Sequence, residues 1–237
     1  MTTMTTCPSF IDLKALAKAA PRDRDDPFGT GATEFALDAG PCTVKGIALS
    51  AGGADADAPG GDLFVLVAEG AVTLTGPDGE VALATGEGAV IARGTPFAWT
   101  ADADATLIGM SYPGGEGGPP RIVKIDNGAA LTASNPPADD VLLSDRPSCR
   151  SNNHFLSEDG QYSCGVWDST PYTRRAIFFH HTELMHLLAG EVTFTDAVGT
   201  SATFSKGDIF IIEKGAECTW DSQVDVAKIY SLFRPAA

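Results

Sequence analysis

Apolar and polar positions either alternate or run apolar for four to seven residues along most of the chain, and Gly, Pro and Asp punctuate the runs. Short β-branched and aromatic stretches bounded by turn residues predict strands. The first half gives DLFVLVAEG (62–70), AVTLTG (71–76), EVALATGEG (80–88) and AVIARG (89–94). The second half gives ELMHLLAGE (183–191), VTFTD (192–196), SATFSKGD (201–208) and IFIIEKG (209–215). Turns fall at 75–79 (TGPDG) and 196–199 (DAVG), where Gly supplies positive φ. One helix is predicted, over 9–20, with Ser9 as its cap and Ile11, Leu13 and Leu16 on its apolar face.

The two halves repeat one another. Gly70-Ala-Val-Thr-Leu-Thr75 lies over Gly190-Glu-Val-Thr-Phe-Thr195 at an offset of 120. GEGAVIARGTPFAW (86–99) lies over GDIFIIEKGAECTW (207–220) at 121, and Lys45-Gly46-Ile47 over Cys164-Gly165-Val166 at 119. Upstream, FIDLKAL (10–16) echoes KIDNGAAL (124–131). A fixed long period is the mark of an internal duplication. The stretch 113–120, PGGEGGPP, is a linker by composition. The expected fold is therefore all-β, two tandem antiparallel jelly-roll barrels with a short N-terminal helix, spanning 1–113 and 114–237.

Composition narrows the function. Across 237 residues the hydrophobic fraction is 43%, enough for two cores. Net charge is −15, which disfavours phosphate backbones and anionic lipid, so neither nucleic acid nor membrane is an expected partner. No apolar run approaches the length of a membrane helix, and the N-terminus carries no basic-then-apolar leader pattern. Five cysteines without a close pair argue against both a disulfide framework and a zinc knuckle, so a reducing cytoplasm is expected. Residues 1–118 carry net −10 and residues 119–237 net −5, and all four histidines lie in the second half.

Glu183-x6-Gly190 followed by Gly207-x5-Glu213-x-Gly215 resembles the two motifs of the cupin superfamily. The stretch 165–196, with Thr219-Trp220, is similar to the branch of ethanolamine-utilisation cupins and (S)-ureidoglycine aminohydrolase. The resemblance implies a jelly-roll barrel with Glu183 pointing inward, and a metal held by three histidines and that Glu. Here the expected histidine positions hold Ile177, Phe179 and Cys218, and Glu213 replaces the usual proline.

Strand alternation places His181, Glu183 and Met185 on one face and His180 and His186 on the other, so His181 is the expected partner of Glu183. Cys218 and Trp220 share parity and would line the same cavity. His181, Glu183 and Cys218 form a three-ligand set for one divalent metal (Zn, Mn or Ni), or the barrel holds none. Of Arg174 and Arg175, the family pattern favours Arg175 as the inward anchor for an anionic substrate. Trp220 and Met185 are expected to complete the binding surface.

In the first copy, Gly61, Leu63, Leu66 and Phe97 stand where the second has His181, Glu183, His186 and Cys218. The first barrel is expected to carry no site and to cover the other's sheet. Three readings stay open at this point. One is a metal-assisted hydrolase or isomerase acting on a small anionic or ureido-type metabolite, with Glu183 and His181 catalytic. The others are a non-catalytic small-molecule-binding or sensor barrel and a purely structural pair. A small-molecule ligand and a homodimer are the expected partners.

Overall fold

The computed structural model describes residues 10–22 and 25–236. Cys7 and the expected helix cap Ser9 lie outside the described residues. The chain forms two antiparallel barrels, each a large sheet facing a small one. In the second barrel the strands Thr182–Ala189, Val226–Phe233 and Tyr162–Ser169 form the middle of the large sheet, flanked by Ile209–Ile212 and Cys149–Leu156. Tyr172–Phe178, Glu217–Ser222, Glu191–Thr195 and Ser201–Ser205 form its small sheet. The first barrel repeats the plan around Asp62–Glu69, Ala105–Tyr112 and Thr43–Leu49.

The echo between 10–16 and 124–131 has a structural meaning: both segments are exchanged arms. Ile11–Asp12 pairs with Ile209–Ile212 of the second barrel, and Ile122–Lys124 pairs with Gly88–Ile91 of the first. Each large sheet thus ends on a strand from the other half.

Because residues 11 and 12 are held extended by that pairing, the helix is shorter than expected and spans Leu13–Lys18. Its cap is Asp12, whose Oδ1 accepts the Ala15 amide at 3.1 Å. Leu13 and Ala17 are buried, whereas Leu16, expected on the apolar face, is exposed.

Three apolar clusters follow from strand alternation. Leu63, Val65, Leu107 and Phe97 are among those filling the first barrel. Met185, Leu187, Phe194, Phe210 and Cys218 lie in the second. The third cluster joins the outward faces of the two large sheets, with Phe64, Ile108 and Met110 meeting Tyr162, Leu184 and Ile229. Tyr112 stacks on Tyr162 across this junction at 5.3 Å. His186 faces the same way, its Nδ1 3.1 Å from the Asp208 carbonyl, with its Nε2 against Gly86 of the first barrel. No helix among the described residues is long and apolar enough to cross a membrane.

Candidate functional site

The second barrel contains a cavity of about 490 Å³ that opens beside the loop 134–137. Its polar wall includes His181, Glu183, Lys228, Arg174, Cys149 and Tyr230, and its aromatic wall Trp167 and Tyr172. Glu183 is the second residue of the strand Thr182–Ala189, while Lys228 comes from the neighbouring Val226–Phe233. Lys228 Nζ donates to Glu183 Oε1 at 2.9 Å, and His181 Nε2 stands 3.7 Å from Oε2. Lys228 also lies 3.1 Å from Met185 Sδ and over the rings of Trp167 and Trp220, at 5.0 and 5.6 Å.

Burial alone would raise the Glu183 pKa. The Lys228 ammonium and the His181 ring outweigh it and bring the carboxyl to about 2. Glu183 is accordingly a permanent carboxylate at neutral pH. A general base there would need a raised value.

Arg174, not Arg175, is the inward arginine. The strand Tyr172–Phe178 pairs Arg174 with Trp220 and Ile177 with Cys218, so three steps on one strand meet two on the other. This β-bulge inserts one residue and reverses the side-chain parity upstream of it. Arg174 is buried, donates from Nη1 to the Cys218 carbonyl at 2.7 Å, and lies 5.5 Å from the Phe179 ring centre. Burial lowers its pKa, opposed by Tyr172 and Cys218, and a guanidinium stays charged regardless. Arg175 is exposed and pairs with Asp140 at 3.2 Å.

The remaining expected site residues divide. His181 and Glu183 are brought together as the alternation implied. Met185 is fully buried and reaches the site only through its sulfur on Lys228. Trp220 stacks at 5.3 Å on Tyr172 and donates its indole N–H to Ser222 Oγ, so it backs the cavity wall. Cys218 is wholly buried in the apolar cluster and meets Arg174 through its carbonyl and its side chain.

Residues outside the sequence expectation complete the cavity: Arg174, Lys228, Trp167, Tyr172, Cys149 and Tyr230. Burial, helped by Asp168 and opposed by Lys228, raises the Cys149 pKa. A signal for Lys228 existed in the duplication. It is a lone charge inside the apolar strand VAKIYSLF, and by strand pairing its counterpart in the first barrel is Leu107.

A family model described as the EutQ-like cupin domain matches residues 156–230. The crystal structure of a DUF861-family protein of unknown function from Pseudomonas syringae pv. tomato is similar over 95% of this chain and 93% of its own. Its sequence identity is 31% and its TM-score 0.81. This chain belongs to the cupin superfamily, in its EutQ-like branch. The cupin is also similar to a conserved barrel domain protein from Leptotrichia buccalis, at 10% identity and TM-score 0.64 over 95% and 96% of the two chains. Salicylate 1,2-dioxygenase from Pseudaminobacter salicylatoxidans matches at 12% identity and 0.56, over 92% of this chain and 81% of that one. At these identities the likeness is one of fold alone. A comparison with curated proteins found no match to this sequence.

The metal that the superfamily implies does not fit the donors of this cupin. Glu183 Oε1 already accepts from Lys228 at 2.9 Å, and among the described residues His181, 3.7 Å from Oε2, is the one other donor beside it. The Cys218 thiol is not part of the cavity wall, and no group of three or more His, Cys, Asp and Glu side chains among the described residues is placed to hold a metal. A stable protein site needs three or four converging donors.

Proposed function

We propose that this cupin binds a small organic anion in its second barrel, with Arg174 as the anchor. One observation carries the reading: Arg174 is a buried cation in the cavity wall, and among the described residues it has no carboxylate within ion-pair distance. Buried charges are ordinarily paired with a counter-charge, so a guanidinium held by the Cys218 and Arg175 carbonyls and the Tyr172 and Cys218 side chains, with no carboxylate, can take an anion from outside. A carboxylate matches its planar fork of donors. Lys228 offsets the Glu183 charge in the same wall, leaving Arg174 as the uncompensated buried cation, and Trp167 and Tyr172 offer flat faces for the ligand's carbon frame.

A second reading, an acid–base isomerase or hydrolase of such an anion, is favoured by the approach of His181 to Glu183. There an imidazole, a group able to carry a proton, stands 3.7 Å from a carboxylate inside the cavity. In that reading His181 moves the proton and Glu183 stays ionised.

The test is calorimetric titration of a panel of small mono-, di- and keto-carboxylates, with turnover followed by NMR. The expected result is saturable binding that Arg174→Gln removes and Arg175→Gln leaves unchanged. Binding unaffected by Arg174→Gln would overturn the anchor. Turnover lost in His181→Ala, with binding retained, would select the second reading.

A further inference from the structure

The environment of Lys228 reaches beyond anion binding. Lys228 stands opposite Leu187 in the sheet, whereas Glu183 stands opposite Leu232, so the lysine side chain runs along the barrel wall past Met185 to reach the carboxylate. At its end the ammonium meets a carboxylate oxygen at 2.9 Å, a thioether sulfur at 3.1 Å and two indole rings at 5.0 and 5.6 Å. This is an aromatic and carboxylate cage for a cation, already filled by the chain's own side chain. In the first barrel Leu63 and Leu107 take the places of Glu183 and Lys228, so charge and counter-charge are absent together.

We infer that Lys228 is the resident cation of the second barrel and takes the place of a metal ion at Glu183 and His181. A divalent ion there would have to expel the ammonium from its cage or sit beside it against like-charge repulsion. It would also have to share a carboxylate whose Oε1 already accepts from the ammonium at 2.9 Å. Histidines are missing at the positions that the metal-binding pattern requires, as Ile177, Phe179 and Cys218 stand there. Loss of those donors and gain of an internal ammonium describe one exchange: a replaceable ion for a fixed charge. The ligand of this barrel therefore meets an ammonium carried by the chain itself, and no Lewis acid enters through Glu183.

The experiment uses the full chain purified without chelator. Elemental analysis is followed by titration with Zn²⁺, Mn²⁺, Ni²⁺ and Co²⁺, read by thermal melting and, for Co²⁺, by visible absorption. The wild type is expected to carry no stoichiometric metal and to show neither a shift in Tm nor cobalt bands. Lys228→Ala empties the cage and frees Glu183 and His181, a two-donor site completed by water, and is expected to bind Co²⁺ weakly but about tenfold or more above the wild type, with the gain lost on adding Glu183→Gln. Lys228→Gln, which keeps a hydrogen-bond donor for Glu183, repeats the measurement if the alanine variant does not fold. Stoichiometric metal in the wild type, or folded Lys228 variants that bind Co²⁺ no better than wild type, overturns the inference. If neither variant folds, the wild-type metal content and melting decide it.

Discussion

Lys228 and Glu183 form an ion pair buried across two neighbouring strands, with Nζ and Oε1 2.9 Å apart. Two opposite charges taken out of water together have lost much of their hydration, so neither tolerates the loss of the other. Glu183→Ala and Lys228→Ala are each expected to destabilise the protein by about 3–5 kcal/mol in urea denaturation. The double replacement Glu183→Leu with Lys228→Met removes both charges while keeping volume, and should recover most of that loss. A double variant as unstable as the worse single one would show that packing, not charge, dominates there.

The same pair sets an acid limit. The Glu183 carboxyl has its folded pKa depressed from 4.5 to about 2. A depressed carboxylate contributes stability that is fully present above the unfolded value and is lost as pH falls through the folded one. Between about pH 4.5 and 2 the wild type should therefore lose stability by roughly 3 kcal/mol more than Glu183→Gln, in line with about 1.4 kcal/mol per pKa unit. Stability curves measured from pH 2 to 7 give the comparison. Parallel curves for the two proteins would mean that Glu183 is not held ionised.

Much of the fold was legible because duplication and alternation are both written locally. Repeated glycines fixed the two barrels, and period-two patterning placed His181 beside Glu183 and turned His186 to the barrel junction. What escaped depends on long-range pairing. The arginine pair was inverted by a single bulge residue, which strand periodicity cannot reveal without the partner strand Glu217–Ser222. The helix starts later than its pattern predicts because strand pairing 200 residues away holds Ile11 and Asp12. Lys228 is not legible as a site residue from its own strand, because a lone lysine there reads as solvent-facing until its carboxylate partner is known.

The exchanged N-terminal arm gives a contrast within one short helix. Leu13 is 0% exposed in the cluster between the barrels, whereas Leu16 is 39% exposed. Leu13→Ala is expected to cost about 3 kcal/mol, the transfer of the lost methyl groups plus the cavity left behind. Leu16→Ala should cost under about 0.5 kcal/mol, since little packing is lost and Ala suits a helix. Denaturation midpoints of the two variants test this, and equal losses would mean that the arm does not dock as described.

The barrel junction also contains a buried polar chain. Tyr162 of the second barrel donates its hydroxyl to the Met110 carbonyl of the first at 3.0 Å, and its oxygen lies 2.7 Å from Ser231 Oγ. Burial and the neighbouring thiols of Cys164 and Cys42 raise the Tyr162 pKa well above its ordinary value, so the phenol stays neutral and able to donate. Tyr162→Phe keeps the ring stacked on Tyr112 but deletes the hydroxyl, leaving Ser231 with a lost partner in a dry site. The expected cost is about 1–3 kcal/mol. Ser231→Ala removes the other end, and because the two groups touch, their effects should couple by about 0.5 kcal/mol or more in a double-mutant cycle. The junction shares one apolar cluster and the exchanged arms tie each sheet to the other half, so the barrels should unfold together. Fluorescence and circular dichroism should then trace one coincident transition in wild type and in Tyr162→Phe. Two resolved transitions would show that each barrel is stable without its neighbour.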